Sequence, residues 1–212
     1  MPIDPPHFGQ EFNDRLEQLF EWRRDVRRFR ADPVAEPVLQ ELLQMANLAP
    51  SVGNSQPWRW VRVNSSEARK AIRENFEASN AAAAEIYGVD VRAEYVELKL
   101  EGLCESPVHL AVFCDESTQQ GRGLGRQSMP EMLAYSTVIS VHSFWLAARA
   151  RGIGVGWVSV LDPDAVMTCL EVPEAWTFVA YLCVGYPVEE HTDPELVRNR
   201  WQQRQYLQLI ER

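Results

Sequence analysis

Between Glu131 and Arg151 lies a stretch that restricts the fold of this chain more than any other. Ala134, Val138, Val141, Phe144, Trp145, Leu146 and Ala148 recur at helical spacing and leave almost no polar side. A helix of that kind has no face to give to water. It must run through the centre of a domain or lie in an oligomer interface. At 212 residues the chain is long enough to bury roughly 70% of its unfolded surface around it.

The flanking stretches supply layers for that helix to pack on. Phe12, Leu16, Leu19 and Phe20 predict a first helix over Glu11 to Trp22, and Asp32-Pro33 breaks the pattern. Pro37 is a favourable first position for a second helix, through Leu39, Leu42, Leu43 and Ala46 to Ala49-Pro50. A polar loop, Pro50 to Trp58, leads to a strand over Trp60 to Val63. Ser65 or Ser66 caps a third helix through Ala68, Ile72 and Phe76, which Ala81 to Ala84 prolongs before Gly88. Tyr95, Leu98, Leu100 and Leu103 predict a fourth helix ending before Pro107, and Val108 to Cys114 reads as a buried strand. Glu116 to Pro130 is polar, holds Gly121, Gly123 and Gly125, and shows no periodicity; a loop of that length is functional or disordered. After the central helix come Gly152 to Val160, a short helix over Ala165 to Leu170, a strand over Thr177 to Val184 and a polar tail. With no internal repeat or linker, the expectation is one α+β domain over 1–212.

A formal net charge of -9 argues against non-specific nucleic-acid binding, which requires a basic face. No apolar run reaches transmembrane length, and Met1 to Gln10 lacks the basic-then-apolar plan of a signal peptide, so a cytoplasmic protein with no membrane partner is expected. Cys104, Cys114, Cys169 and Cys183 form no CxxC pair and read as buried, reduced thiols. His7, His109, His142 and His191 are scattered, so no metal site is expected.

Against that acidic background, Arg23-Arg24-Asp25-Val26-Arg27-Arg28-Phe29-Arg30 sets five arginines around one carboxylate. Arginine's planar fork gives a phosphate two parallel hydrogen bonds and keeps its charge. The cluster is therefore an anion site, or else a solvated helix end whose cations complement the dipole. Asp25 is a spacer between arginines or a group with chemistry of its own. In the Pro50 to Trp58 loop, Ser51, Asn54, Ser55 and Gln56 offer donors and acceptors that suit the edge of a heterocycle; an ordinary polar turn is the alternative. Gly152-Ile153-Gly154-Val155-Gly156-Trp157 follows a helix rather than a strand, which rejects a dinucleotide fingerprint. Its glycines fit the close approach of a flat ligand or a tight helix-to-strand turn. Ser159 has no GxSxG elbow and no paired histidine, so it is no acyl-enzyme nucleophile. It bonds a ligand or is a buried, satisfied serine.

Taken in order, Arg23-Arg24-Asp25-Val26-Arg27, Pro50-Ser51 with Gln56-Pro57-Trp58, Leu98-Lys99-Leu100-Glu101-Gly102, and Gly152-x-Gly154-x-Gly156-Trp157-Val158-Ser159 resemble the nitroreductase superfamily of FMN proteins. The resemblance runs from Glu11 to Arg204. Aspartate at position 25, where nitroreductases typically carry serine or threonine, is similar to the superfamily's aerobic flavin destructases when it occurs with Gly-Trp-Val-Ser. The resemblance implies an α+β homodimer with a central mixed sheet, helices around it, FMN at the subunit interface and Glu116 to Pro130 as a lid. It assigns the flavin to Arg23, Arg24, Asp25, Val26 and Arg27, to Ser51 and Asn54, to Leu100, and to Gly156, Trp157 and Ser159. Arg204 would be a late phosphate ligand.

The implied reaction consumes the flavin. Reduced FMN and O2 react, and the isoalloxazine is cut to 5,6-dimethylbenzimidazole, for the lower ligand of cobalamin, and erythrose 4-phosphate. FMN is then a substrate, and a separate flavin reductase supplies it in reduced form. Such a site must exclude water and hold a base near the ribityl carbon that enters the product. Asp25 takes that acid/base role, and Ser159 hydrogen-bonds the flavin. Neighbouring arginines lower an aspartate pKa by roughly 1–3 units whereas burial raises it, and the sequence leaves that contest open. Two rivals stand beside this reading: an NAD(P)H-dependent nitroreductase or flavin reductase, and a non-catalytic flavin-binding protein.

Overall fold

The structure, a computed structural model, describes residues 4–212. Strand β2 (Val108–Asp115) is apolar at most positions, and all 8 of its residues are buried because helices cover both sheet faces. With β1 (Trp58–Arg62), β3 (Gly154–Val158) and β4 (Trp176–Gly185) it forms a sheet in the order β1-β2-β4-β3, each neighbouring pair antiparallel. The parallel element of the expected mixed sheet is a single bridge, Asp25 to Val155, at the outer edge of β3.

Alternation along the strands sorts the core into two layers. Val108, Leu110 and Val112, with Ala180, Leu182 and Val184, face α2 (Glu36–Asn47) and α5 (Met132–Arg149), where Leu39, Leu42, Val141 and Phe144 meet them. Ala111, Phe113, Tyr181 and Cys183 face α3 (Ser66–Ala84) and α6 (Pro163–Cys169) through Ile72, Phe76 and Val166. Each fully buried large side chain contributes about 1.5–3 kcal/mol.

Helix ends follow local chemistry. Pro37 stands in the first turn of α2. Ser65 Oγ accepts from Ala68 N at 3.2 Å and starts α3, a cap worth about 1 kcal/mol. Gly152 closes α5 in the left-handed region, φ 69°, and lets Ile153 N reach Ala148 O at 3.0 Å.

α5 is the central helix that the sequence demands, but it is covered on one side only. Leu133, Val141, Phe144 and Ala148 are buried, whereas Tyr135, Val138 and Ile139 remain 40–51% exposed. Beside it, α1 (Gln10–Trp22) buries none of its residues, and Phe12, Leu16 and Phe20 stay exposed. Phe20 stacks on His142 of α5 with ring centroids 6.4 Å apart. The two helices thus present one apolar face.

The helix expected over Tyr95 to Leu103 lies earlier instead, as α4 (Val89–Val96). Two tertiary contacts hold the following stretch irregular. Lys99 O accepts from Arg27 Nη1 at 2.6 Å. Gly102 sits so close under Phe29 that a Cβ there would lie 2.4 Å from the ring. The polar tail contains a short helix that its pattern does not announce, α7 (Glu195–Arg198). Of the four free cysteines, Cys114 and Cys183 are buried as expected, Cys169 only partly, and Cys104 is exposed.

Candidate active site

The arginine stretch leaves α1 and runs along the open edge of β3. Arg23 N donates to Leu19 O at 3.0 Å, ending the helix, and Val26 N donates to Val155 O at 3.1 Å. Trp157 N then donates to Asp25 Oδ1 at 2.8 Å. A side-chain carboxylate thus stands where the carbonyl of one more strand would be. Gly156 makes this approach possible, since a Cβ there would lie 2.1 Å from Val26 O. The glycine's bare Cα is therefore used by the close approach of the protein's own backbone. Gly152 accounts for the tight helix-to-strand turn.

The second oxygen of Asp25, Oδ2, accepts from Arg27 Nε at 2.9 Å. Burial pushes the Asp25 carboxyl above the usual carboxylate range, against the pull of the Arg27 guanidinium and of the bonds from Trp157 N and Arg27; Glu195 adds to the rise. Desolvation wins the contest that the sequence left open. A carboxyl raised in this way is suited to take or give a proton nearer neutral pH.

The arginines differ in how they are held. Arg28 Nη1 pairs with Glu195 Oε1 at 2.9 Å and Glu189 Oε1 at 3.1 Å. The Arg23 guanidinium lies 4.9 Å over the ring of Trp145, and Arg24 Nε donates to Thr192 O at 2.6 Å. Neither Arg23 nor Arg24 has a carboxylate at ion-pair distance among the described residues. Trp201 packs edge-on to Tyr87, 5.6 Å between centroids, and anchors the tail just beyond the end of α3. Arg204 thereby joins Arg23, Arg24, Asp25 and Arg27 around an open cavity of about 310 Å³ that Pro194, Glu195 and Leu196 also line. An adjoining hollow of about 560 Å³ is shared by Arg23, Arg24 and Arg204 with Leu16 and Phe20 of the apolar face.

Several other predicted residues adjoin this centre through the chain. Val26 lies over Gly154 and Gly156. Trp157 donates its backbone N–H to Asp25, and its ring is 6.4 Å from Trp145. Leu100, next to the Lys99 carbonyl that holds Arg27, packs with Val26 against the second core layer.

Three predicted residues lie apart. Ser159 is exposed just beyond β3, so it is not the buried serine of the bland reading. Ser51 Oγ accepts from Gln56 N at 3.0 Å, and Asn54 adopts φ 55°. That loop meets the 116–130 segment, where Gln120 Nε2 donates to Asn54 O and to Gln56 Oε1, each at 3.0 Å. Neither Ser51, Asn54 nor Ser159 lines the cavity of Arg23, Asp25 and Arg204. Glu195 and Trp145 are site residues that sequence reasoning passed over. Trp145 is one apolar residue among many on α5, and Glu195 sits in a tail with no hydrophobic period.

Among the described residues no group of His, Cys, Asp or Glu could hold a metal ion, and no helix is long and apolar enough to cross a membrane.

Residues 20–186 match the sequence profile of the Nitroreductase family. The chain belongs to the nitroreductase family. Among its relatives in that family, the 5,6-dimethylbenzimidazole synthase of Rhodospirillum rubrum is 55% identical over 207 residues, covering 98% of each chain. A 5,6-dimethylbenzimidazole synthase of Rhodobacter capsulatus is 46% identical over 197 residues, covering 93% of this chain and 95% of its own. A crystal structure of oxidized iodotyrosine deiodinase bound to FMN and 3-iodo-L-tyrosine has a TM-score of 0.72 at 24% identity, covering 93% of this chain and 97% of that one. At that identity the likeness speaks for the fold alone. The nitroreductase-family fold thus carries here a raised aspartate inside an arginine cluster.

Proposed function

We propose that this nitroreductase-family protein is a 5,6-dimethylbenzimidazole synthase, which binds reduced FMN and fragments it with O2. The observation that carries the reading is Asp25, held by Arg27 and the Trp157 N–H at the wall of a cavity where Arg23, Arg24 and Arg204 have no carboxylate at ion-pair distance among the described residues. The 55% identity with the Rhodospirillum rubrum enzyme over nearly the whole chain supports the same reaction.

The donor set fits a flavin phosphate: Arg23, Arg24 and Arg204 present guanidiniums to one cavity. Bound reduced FMN supplies the electrons for O2 and the carbon skeleton of the product. Asp25 exchanges a proton with the ribityl chain, and Arg27 and the Trp157 N–H hold its carboxylate in orientation. Ser159, exposed beyond β3, donates a hydrogen bond to the ring, and Leu100 with Trp157 borders it. Ser51 and Asn54 reach the same flavin from a second copy of the chain, which covers the apolar face of α1 and α5. The protein acts as a homodimer, and each copy is a single domain over 1–212 whose 116–130 segment serves as the lid that excludes water. A separate flavin reductase supplies the reduced flavin. The free thiols suit the cytoplasm.

The test mixes protein and reduced FMN in equal amounts, admits air and separates the products by chromatography. Wild-type protein should release 5,6-dimethylbenzimidazole. Asp25→Asn should bind FMN within a few-fold of wild type and lose about 10²–10⁴-fold in product formation. Steady NADPH consumption with a nitroaromatic and no benzimidazole would overturn the reaction. Native turnover by Asp25→Asn would overturn the acid/base role.

A further inference from the structure

Glu195 stands outside the arginine cluster in the sequence but divides it electrostatically. The residue opens α7, a helix of 4 residues, and its side chain is only 9% exposed. Its Oε1 accepts from Arg28 Nη1 at 2.9 Å, and its Oε2 lies 3.9 Å from Arg27 Nε. The same Arg27 Nε donates to Asp25 Oδ2. Charges therefore alternate along one line: Asp25, Arg27, Glu195, Arg28. A carboxylate this well buried bears a desolvation cost that its two guanidinium partners must offset. Arg23, Arg24 and Arg204 have no such partner among the described residues. A phosphate entering the cavity therefore meets three arginines without a carboxylate partner and one, Arg27, that is already paired, while Arg28 is held outside it.

We propose that Glu195 is a positioning residue that takes a share of Arg27's charge and holds Arg28, so that phosphate is bound by Arg23, Arg24 and Arg204 while Asp25 keeps its capacity to exchange a proton. This rests on the reading of Asp25 as the acid/base group. The charged and titratable groups that face Asp25 are Arg23, Arg24 and Arg27 from its own segment, Cys183 from β4, Glu195 from α7 and Arg204 from the tail. Lys99 and Glu101 border the same place through Arg27 and Cys183. Of the groups acting directly on Asp25, Glu195 is the carboxylate that favours its protonated form.

The test begins with FMN-free protein, in which the Asp25 carboxyl is titrated by NMR after carbon-13 labelling of aspartate. Glu195→Gln keeps the shape and removes the charge, and should move the Asp25 titration down by about half a unit or more. Arg28→Gln removes a cation and leaves Glu195 less neutralised, so it should move Asp25 up. FMN affinity should not fall in Glu195→Gln, which removes a carboxylate from the cavity wall, but should fall about tenfold or more in Arg24→Gln, which loses a charge-assisted bond. With flavin and O2, the acid limb of the pH–rate profile in Glu195→Gln should shift to lower pH. Glu195→Asp, which keeps the charge, should restore the limb toward wild type.

Asp25 titrating as in wild type in both Glu195→Gln and Arg28→Gln would overturn the proposal. So would a shift in the same direction in both variants, or a loss of FMN by Glu195→Gln equal to that of Arg24→Gln. If Glu195→Gln does not fold, Glu195→Asp and Arg28→Gln decide by the same titration. The titration and the binding isotherm need no benzimidazole to form. A wild-type protein that makes no product therefore overturns the assigned reaction by a separate result.

Discussion

Replacing Gly156 with alanine tests whether the β3 edge builds the site. The added Cβ would lie 2.1 Å from Val26 O, where ordinary contacts begin at 3.4 Å, so the arginine segment must retreat by more than an ångström. Two bonds are then lost, Val26 N to Val155 O and Trp157 N to Asp25 Oδ1. The first is worth about 1 kcal/mol and the second, to a carboxylate, about 1.5–3 kcal/mol. Overpacking adds about 1–3 kcal/mol, and the lower chain entropy of alanine returns less than about 1 kcal/mol. The expected loss is about 2.5–7 kcal/mol, read as a lower urea midpoint at unchanged slope. FMN affinity should fall with it, because Arg23, Arg24 and Asp25 move as one segment. Gly88→Ala is the control: nothing lies within 4 Å of a Cβ there, and its stability should stay within about 1 kcal/mol of wild type. Should Gly156→Ala match that control in midpoint and in FMN affinity, the edge pairing does not hold the site.

Two further outcomes follow from other parts of the fold. His109 is buried, shares a hydrogen bond of 2.9 Å with Tyr181 Oη, and burial lowers its pKa from 6.5 to about 4; the unfolded chain takes up its proton first, so stability should be full above pH 6.5 and fall by about 3 kcal/mol as pH drops to 4. Urea midpoints across that range should show the step in wild type and lose it in the double variant His109→Phe, Tyr181→Phe, and a step that survives there belongs to other groups. Charging the apolar face with Phe20→Glu and Ile139→Glu should give monomers by light scattering with FMN bound at least tenfold more weakly, and dimers with native affinity would place the subunit interface elsewhere.

Legibility in the sequence followed the distance over which each feature is determined. Helix α5, the cap of α3 and the buried strand β2 are set by residues within one turn or one strand, and pattern and composition reach that far. The helix expected at Tyr95 to Leu103 failed because Arg27, seventy-two positions away, takes the Lys99 carbonyl and Phe29 occupies the space over Gly102. Propensity yields to such contacts, and no local window contains them. The arginine motif and Gly156 were each legible, but their relation was not: the glycine makes room for Val26 O, a contact no local window contains.

The placement of Ser51, Asn54 and Ser159 is of the same kind, one level higher. In one copy they stand away from the cavity of Arg23, Asp25 and Arg204, while Phe20, Val138 and Ile139 leave an apolar face uncovered beside that cavity. A site divided in this way cannot exclude water from one copy alone, and chemistry between a reduced flavin and O2 requires that exclusion. In the proposed homodimer a second copy would cover the face of α1 and α5, and its Ser51 and Asn54 would face the arginines. On that proposal assembly and catalysis are one requirement, and Asp25 would lose further solvent at the step that completes the pocket. A dimer-breaking change on α1 should therefore lower the Asp25 pKa as well as weaken FMN binding, although Phe20 is not among the residues that line the Asp25 cavity.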